Sequence, residues 1–482
     1  MDLSVLSVLS VLSVLSALSL HPAPPRASSG MPRPSLLARL GLDRPELRAW
    51  AMYDWAASAM QTTIMVAVFP IYFVKVAGAG LAEGGATQRL ATVNTVALLI
   101  IALAAPVLGA VSDYGGNKKR FLAGFMWLGA AAVAGMFFIG RGDLGLASWL
   151  FVLSLIGVAG SFVFYESLLP HVAGPAEIDR VSTAGYALGY VGGGILLALN
   201  LAWIQKPAWF GLPSGPGLSE HAATLPARLA FVSVAVWWLA FSIPLFRRVP
   251  EPPARLEPDE RAGRSPVRMA FVRLGETFRE LRGYRQAFLM LLAFLIYNDG
   301  IQTIIKMATA YGTELGIGQS ALIGAILLVQ FVGIPCSFLF GMLAGRIGAK
   351  QALFLGLVAY TVISVLGYYM KTAAHFYVLA GLVGMVQGGT QALSRSLFAS
   401  MIPRHKSGEF FGFFSVFEKF AGIFGPLIFA GTIAATGSSR NAILSVIGFF
   451  AVGAAILAFV DLDEGRREAA AADAATALPF RT

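Results

Sequence analysis

Six ionisable side chains stand inside long apolar runs of the chain: Asp54, Glu166, Asp299, Lys306, Glu418 and Lys419, with Arg395 near the end of another run. A charge at the centre of a membrane helix costs about 2.5–3.5 kcal/mol on insertion scales, so each of these needs a partner, a wet cavity or a task. Asp299 falls near the middle of its run, and Lys306 follows it seven residues on. On a helix the two share a face about 10 Å apart. That is too far for a direct ion pair but suits the two ends of a small zwitterion; the alternative is that Lys306 snorkels or pairs with another helix. Asp54, between Tyr53 and Trp55, either caps its helix locally at the interface or faces a cavity. Glu166, beside Tyr165 and before Pro170, ends its run near the cytoplasmic surface and reads first as a solvated helix end, while its depth would also let it meet Asp54 or oppose an inner gate. Two carboxylates at one depth favour sharing a proton, which is one way to hold a transportable one. Glu418 and Lys419 are adjacent, so they leave a helix about 100° apart, and at least one is expected to find its partner on another helix. Gln387 and Gln391, four residues apart, could hydrogen-bond a solute or neighbouring helices.

The elements that must carry these groups are helices. Hydrophobic residues make up 57% of the 482 and charged residues 13%, against about 25% charged in a soluble domain, and the mean hydropathy is +0.71. Twelve runs are long enough to cross a bilayer: 50–73, 90–111, 121–139, 148–169, 182–204, 229–246, 285–311, 320–344, 351–370, 376–400, 408–435 and 442–460. Backbone polar groups in lipid must be satisfied within the segment, so the fold class is an all-α integral membrane bundle. Pro335 and Pro426 are expected to break or kink their helices.

The stretch 247–284, rich in Arg, Glu and Pro, divides the spans six and six. It reads as a linker between an N-terminal six-helix bundle (49–246) and a C-terminal one (285–461), with tails at 1–48 and 462–482. Residues 269–281 have helical apolar spacing and could lie along the membrane surface. Residues 4–20 repeat Ser-Val-Leu, with Asp2 the only early charge, which reads as low complexity upstream of a start at Met31 more than as a targeting signal. With a cytoplasmic N-terminus, the outside loops hold only seven Lys and Arg, while the segment 247–285 alone holds ten Arg. That asymmetry puts both termini in the cytoplasm, with the cytoplasmic (inner) membrane of a bacterium as the expected location. It also explains the net charge of +10 without nucleic acid.

The two halves share a signature. Gly109-Ala-Val-Ser-Asp113-Tyr-Gly-Gly116-Asn-Lys118 follows the second span, and Gly341-Met-Leu-Ala-Gly345-Arg346-Ile-Gly348-Ala-Lys350 follows the eighth, at an offset of 232 residues. These turns resemble the signature loops of the major facilitator superfamily. Further segments are similar to its vacuole-effluxer (autophagy-related) branch and bacterial relatives: Tyr53-Asp54-Trp55-Ala56, Phe164-Tyr165-Glu166, Gly189-Tyr190-Val191-Gly192-Gly193, Tyr297-Asn298-Asp299-Gly300, the run from Gln387 to Arg395, and Glu409-Phe410-Phe411-Gly412. The resemblance implies two pseudo-symmetric bundles, transport by alternating access and, for eukaryotic members, amino-acid efflux. It also implies a gate in which Asp113 sits at the N-terminus of the eleventh span near Ser407 and Gly408, where a helix dipole favours a carboxylate, stabilising the outward-facing state. Gly109, Gly116, Lys118, Gly341, Arg346, Gly348 and Lys350 complete that gate, which is asymmetric because Gly345 stands where Asp113 would be. Many proton-driven members carry an arginine in the fourth span, and this chain has none there.

All five histidines fall outside the spans as drawn, and Cys336 is the only cysteine, so no metal site, disulfide or cofactor is expected. No Walker loop or nucleophile–base motif stands out, which argues against an ATP-driven pump or an enzyme. The leading expectation is a monomeric secondary transporter of a small polar or zwitterionic solute, in contact with lipid and coupled to a proton or other ion. Its cavity would be lined by spans one, four, seven and ten, with Asp299, Lys306, Asp54 and Gln387 as the preferred contacts. A non-transporting membrane sensor or scaffold on the same fold is the rival.

Overall fold

Proline and acid at a helix start fix where the first span begins. Pro45 occupies the first turn, where its missing N–H costs nothing, and Glu46 beside it complements the helix dipole. The helix therefore starts at Pro45, ahead of the apolar run at 50. A computed structural model of the chain describes residues 35–81, 85–253, 283–421 and 424–477, and the folded unit begins at Leu36. The expected start at Met31 and the expected surface helix at 269–281 lie outside the described residues.

Twelve helices are long and apolar enough to cross a membrane. They are α1 (Pro45–Ala77), α2 (Gln88–Gly115), α3 (Lys118–Phe138), α4 (Leu144–Val172), α5 (Ile178–Gln205), α6 (Leu225–Arg248), α7 (Arg285–Ala308), α8 (Gly324–Ile347), α9 (Ala349–Tyr368), α10 (Ala373–Ser400), α11 (Arg404–Thr436) and α12 (Ser439–Ala458). A polar helix, α13 (Leu462–Ala477), follows. No strand occurs among the described residues. Asp461 accepts the backbone N–H groups of Asp463 and Glu464 at the start of α13, both at 3.0 Å. Those bonds hold its carboxyl below the usual carboxylate range.

Prolines act unevenly. Pro335 lies within a continuous helix, Gln319–Ile347, so of the expected break or kink the break does not occur there. The eleventh span does break: one piece ends at Phe420, Ala421 is extended (φ −60°, ψ 132°), and a second piece runs Phe424–Thr436 with Pro426 in its first turn, where proline is tolerated. In α1 the backbone widens to π-helix over Met60–Ala67 and Phe73–Ala77, on either side of Pro70. The Val68 N–H reaches back to the Thr63 carbonyl at 2.8 Å, a five-residue step. Such bulges relieve a proline inside a span.

The halves meet through related pairs. α2 packs on α11, and α8 packs on α5, as a two-fold repeat requires. Close approach depends on glycine: a Cβ on Gly192 of α5 would meet the Trp55 ring at 2.7 Å, and one on Gly189 the Ser58 hydroxyl at 2.6 Å.

Candidate functional site

The loop after α2 is the first part of the site. A Cβ on Gly109 would strike the Gly408 carbonyl and stand 3.0 Å from the Glu409 nitrogen, so only glycine lets α2 touch the start of α11. The close approach brings Asp113 under that helix end, where the Glu409 N–H donates to Asp113 Oδ2 at 2.9 Å. Lys118 pairs with Asp113 and donates to Ser407 Oγ at 2.7 Å. Ser407 in turn donates to the Ser167 carbonyl of α4 at 3.0 Å, and His171 Nε2 lies 3.1 Å from the same hydroxyl. Asp113 and Lys118 are 3% exposed, so this is a buried ionic latch between α2, α4 and α11, with the carboxylate placed where the helix dipole favours it.

The second copy of the loop works differently. Gly116 (φ 57°) and Gly348 (φ 92°) both take the positive φ that favours glycine. The matched offset pairs Lys350 with Lys118, but the contacts pair it with Lys119. Lys119 donates to the carbonyls of Phe246 (2.9 Å) and Val249 (2.6 Å) at the end of α6, and Lys350 donates to those of Ala458 (3.0 Å) and Val460 (2.7 Å) at the end of α12. The cause is one extra residue, since α3 starts two residues after Gly116 and α9 one after Gly348. Both lysines therefore cap helix C-termini, and Lys118 is the additional cation that serves Asp113. Gly341 approaches Thr183 of α5 much as Gly109 approaches Gly408, while Gly345 and Arg346 are exposed and no acid stands there.

A second cluster bridges the halves deeper in. Arg395 of α10 is 1% exposed. Its Nη1 lies 3.4 Å from Asp54 Oδ2 of α1 and 3.8 Å from Glu166 Oε1 of α4. Its Nε donates to Ser182 Oγ at 3.0 Å and its Nη2 to the Ser182 carbonyl of α5 at 2.9 Å. The guanidinium stacks over Tyr186 (4.6 Å) and Trp50 (5.0 Å). Tyr165 donates to Asp54 Oδ2 at 2.8 Å. Asp54 and Glu166 come together on Arg395; both are buried, so Glu166 is not the solvated helix end it reads as, and the partners of Asp54 are on other helices and not local. Arg395 is the residue sequence reasoning undervalued. The signal was available: two carboxylates at one depth require a cation, and it comes from the opposite half.

Glu418 and Lys419 pair with each other at 2.6 Å, against the expectation that one must look to another helix. The helix piece ends at Phe420, and the two long side chains bend round the 100° between them. Both stand within electrostatic reach of Glu166.

About two turns before Arg395 on α10, Gln387 stands on the wall of a cavity of about 550 Å³. Lys306, Gln387, Gln330, Thr62 and Thr303 are among its polar wall residues, alongside Met65, Met307, Phe376, Phe429 and several Ile, Val and Leu. It draws on α1, α5 and α7 to α12. Span α4, expected on the wall, contributes none of the described lining residues, because its Tyr165 and Glu166 are packed against α1 and α10. Lys306 and Gln387 are on the wall. Asp299 is not: it is 1% exposed and accepts the Gly425 N–H at 3.0 Å where α11 resumes after its break. Gln391 donates to Asn298 Oδ1 at 2.7 Å, so it ties α10 to α7. His171 and His405 fall within the ends of α4 and α11 rather than outside the spans, and His405 sits 3.1 Å from Asp473. Among the described residues no group of His, Cys, Asp and Glu is placed to hold a metal.

Comparison with known proteins agrees with this fold. The sequence pattern of the family described as "Vacuole effluxer Atg22 like" matches residues 86–470. The chain is 38% identical over 414 residues to the MFS-type transporter YxiO of Bacillus subtilis (strain 168), covering 86% of this chain and 94% of that one. It is 27% identical over 316 residues to autophagy-related protein 22 of Yarrowia lipolytica, covering 60% of this chain and 51% of the fungal protein. Among solved structures, it superposes on the major facilitator transporter FucP in the outward conformation with a TM-score of 0.64 at 13% identity, covering 88% of this chain and 99% of that one. The proton:xylose symporter XylE gives a TM-score of 0.61 at 13% identity, covering 88% and 96%. At that identity the likeness speaks for the fold alone.

Proposed function

The chain belongs to the vacuole effluxer Atg22-like family, and from that premise we propose that it is a secondary transporter that moves a small organic solute by alternating access between its two six-helix bundles. The chain is a multi-pass membrane protein of the major facilitator fold, and its Bacillus subtilis relative is an MFS-type transporter. The finer reading rests on one observation. A cavity of about 550 Å³ carries Gln387 of α10 on its wall, and about two turns further along that helix Arg395 is clamped on Asp54 and Glu166 of the other half. An ion cluster that ties the two halves together on a helix lining the cavity is what a gate requires.

In this reading the bundles 49–246 and 285–461 rock about the cavity. The termini and the signature loops face the cytoplasm of a bacterial inner membrane, as the basic loops imply. The Asp113–Lys118–Ser407 latch and the Arg395 clamp then close the cytoplasmic side, and the conformation is outward-facing. Two carboxylates on one guanidinium leave one negative charge in excess in a buried layer. That balance favours a proton as the coupling ion, taken up when Arg395 withdraws. Efflux is the direction implied by the eukaryotic members, and their amino acids are one of the solute classes to be tested. The test is flux: purified protein in liposomes, offered labelled pools of amino acids, organic acids and nucleosides, should move at least one against a blank. Saturable binding without flux of any bound solute would favour a sensor on the same fold.

A further inference from the structure

We propose that the cavity is built for an organic monoanion, a carboxylate carried on a bulky apolar body, with Lys306 as its charge contact. This rests on the transporter reading and narrows it to a substrate class. Lys306 is exposed on the cavity wall and is the one charged side chain among the described residues lining it. An ammonium group carries three N–H donors, so it can serve a ligand carboxylate while keeping a protein contact.

None of the nearby acids is among the described residues lining the cavity. Asp299 accepts the Gly425 N–H and stands within electrostatic reach of Lys306, Glu418 pairs with Lys419, and Asp54 and Glu166 face Arg395. A zwitterion entering this cavity would set its ammonium among methionine, phenylalanine and aliphatic side chains with only neutral amides and hydroxyls to solvate it. Burying a charge on those terms is unfavourable. A sugar would find few polar partners for its hydroxyls on the same wall. An apolar body fits, because the wall from Met65 to Phe376 and Phe429 is apolar and the volume is that of a drug-sized ligand. Gln387, on the α10 side of the wall, supplies a neutral amide as a further donor to a ligand in the cavity.

The experiment uses the full chain in lipid nanodiscs and a matched series: 4-phenylbutyrate, octanoate and indole-3-propionate, their primary amides, their amine counterparts, and the zwitterion phenylalanine. Binding is read by calorimetry and by the shift of the unfolding temperature. At least one carboxylate should bind saturably, roughly tenfold to a hundredfold tighter than its amide, the worth of a hydrogen bond to a charged group, with the amines weakest. K306Q should lose that preference while unfolding at the wild-type temperature without ligand, and K306R should restore most of it. The proposal is overturned if phenylalanine or an amine binds as tightly as the best carboxylate, if no carboxylate exceeds its amide, or if K306Q keeps the preference. Flux of the bound compound in liposomes separates the two readings. Lys306-dependent binding without flux would remove the transporter reading and leave the site's chemistry, whereas flux indifferent to K306Q would remove the site's chemistry alone.

Discussion

Replacing Arg395 by glutamine should open the sealed end of the protein. The guanidinium makes two short hydrogen bonds to Ser182, at 2.9 and 3.0 Å, and charged hydrogen bonds are worth about 1.5–3 kcal/mol each. It also offsets one of the two charges that Asp54 and Glu166 bring to the layer, and removing one partner of a buried ion pair costs about 3–5 kcal/mol. Part of this is relieved when a carboxylate takes a proton or glutamine keeps one bond to Ser182, so about 3 kcal/mol is a fair figure for what the closed layer alone would lose. At 1.4 kcal/mol per factor of ten, that is roughly a hundredfold shift, enough to bring a 99:1 preference for this state to about even. The assay is a spin-label distance across the sealed end, with labels on cysteines introduced by Arg120→Cys and Gln351→Cys, both exposed positions, in a Cys336→Ser background. Wild type should give one short distance, and Arg395→Gln a short and a long one in comparable amounts. Arg395→Lys should fall between, since a single ammonium cannot span the same partners as a planar fork. An unchanged single distance in Arg395→Gln would refute the reasoning.

Gly109→Ala should weaken the seat of α2 against α11 without unfolding the bundle. The added methyl meets backbone at Gly408 and Glu409, which cannot swing aside, so a cost of about 1–3 kcal/mol should appear as a longer distance between the same two labels. Lys119→Met and Lys350→Met should each lower the unfolding temperature, because each leaves two carbonyls at a helix end without their cation, at about 1–2 kcal/mol each. Paired measurements should give similar losses if the two lysines are counterparts. Glu166→Gln removes the surplus charge facing Arg395, Asp54, Glu418 and Lys419. Transport in that variant should no longer respond to an imposed pH gradient, while wild-type flux should, and identical gradient dependence in both would show that the proton is held elsewhere.

Much of the architecture was legible in the chain because lipid enforces it. Twelve apolar runs could only be helices, and the repeat of Gly109, Gly116 and Lys118 in Gly341, Gly348 and Lys350 announced two related halves. The latch at Asp113 was legible too, since the resemblance supplied its partner helix. What stayed hidden depends on contacts between distant segments. Asp54, Glu166 and Arg395 are each readable as costly charges, but that one guanidinium from α10 serves both acids is a fact of packing across the halves. Lys119 as the counterpart of Lys350 escaped because a one-residue difference in turn length shifts the register while sequence offset assumes none. Asp299 had the depth expected of a solute contact, yet it accepts the Gly425 N–H where α11 resumes and is not among the described residues lining the cavity. The π-helical stretches of α1 left no mark in the hydrophobic period that a sequence reading could use.

The account stands on a cavity reached from one side of the membrane at a time, and thiol accessibility at position 387 measures that directly. In Cys336→Ser protein carrying Gln387→Cys, a membrane-impermeant maleimide should react from the external face. With Arg395→Gln added, reaction should also appear from the cytoplasmic face. An introduced thiol that reacts from neither face in either background, or equally from both in the protein with Arg395 intact, would contradict it.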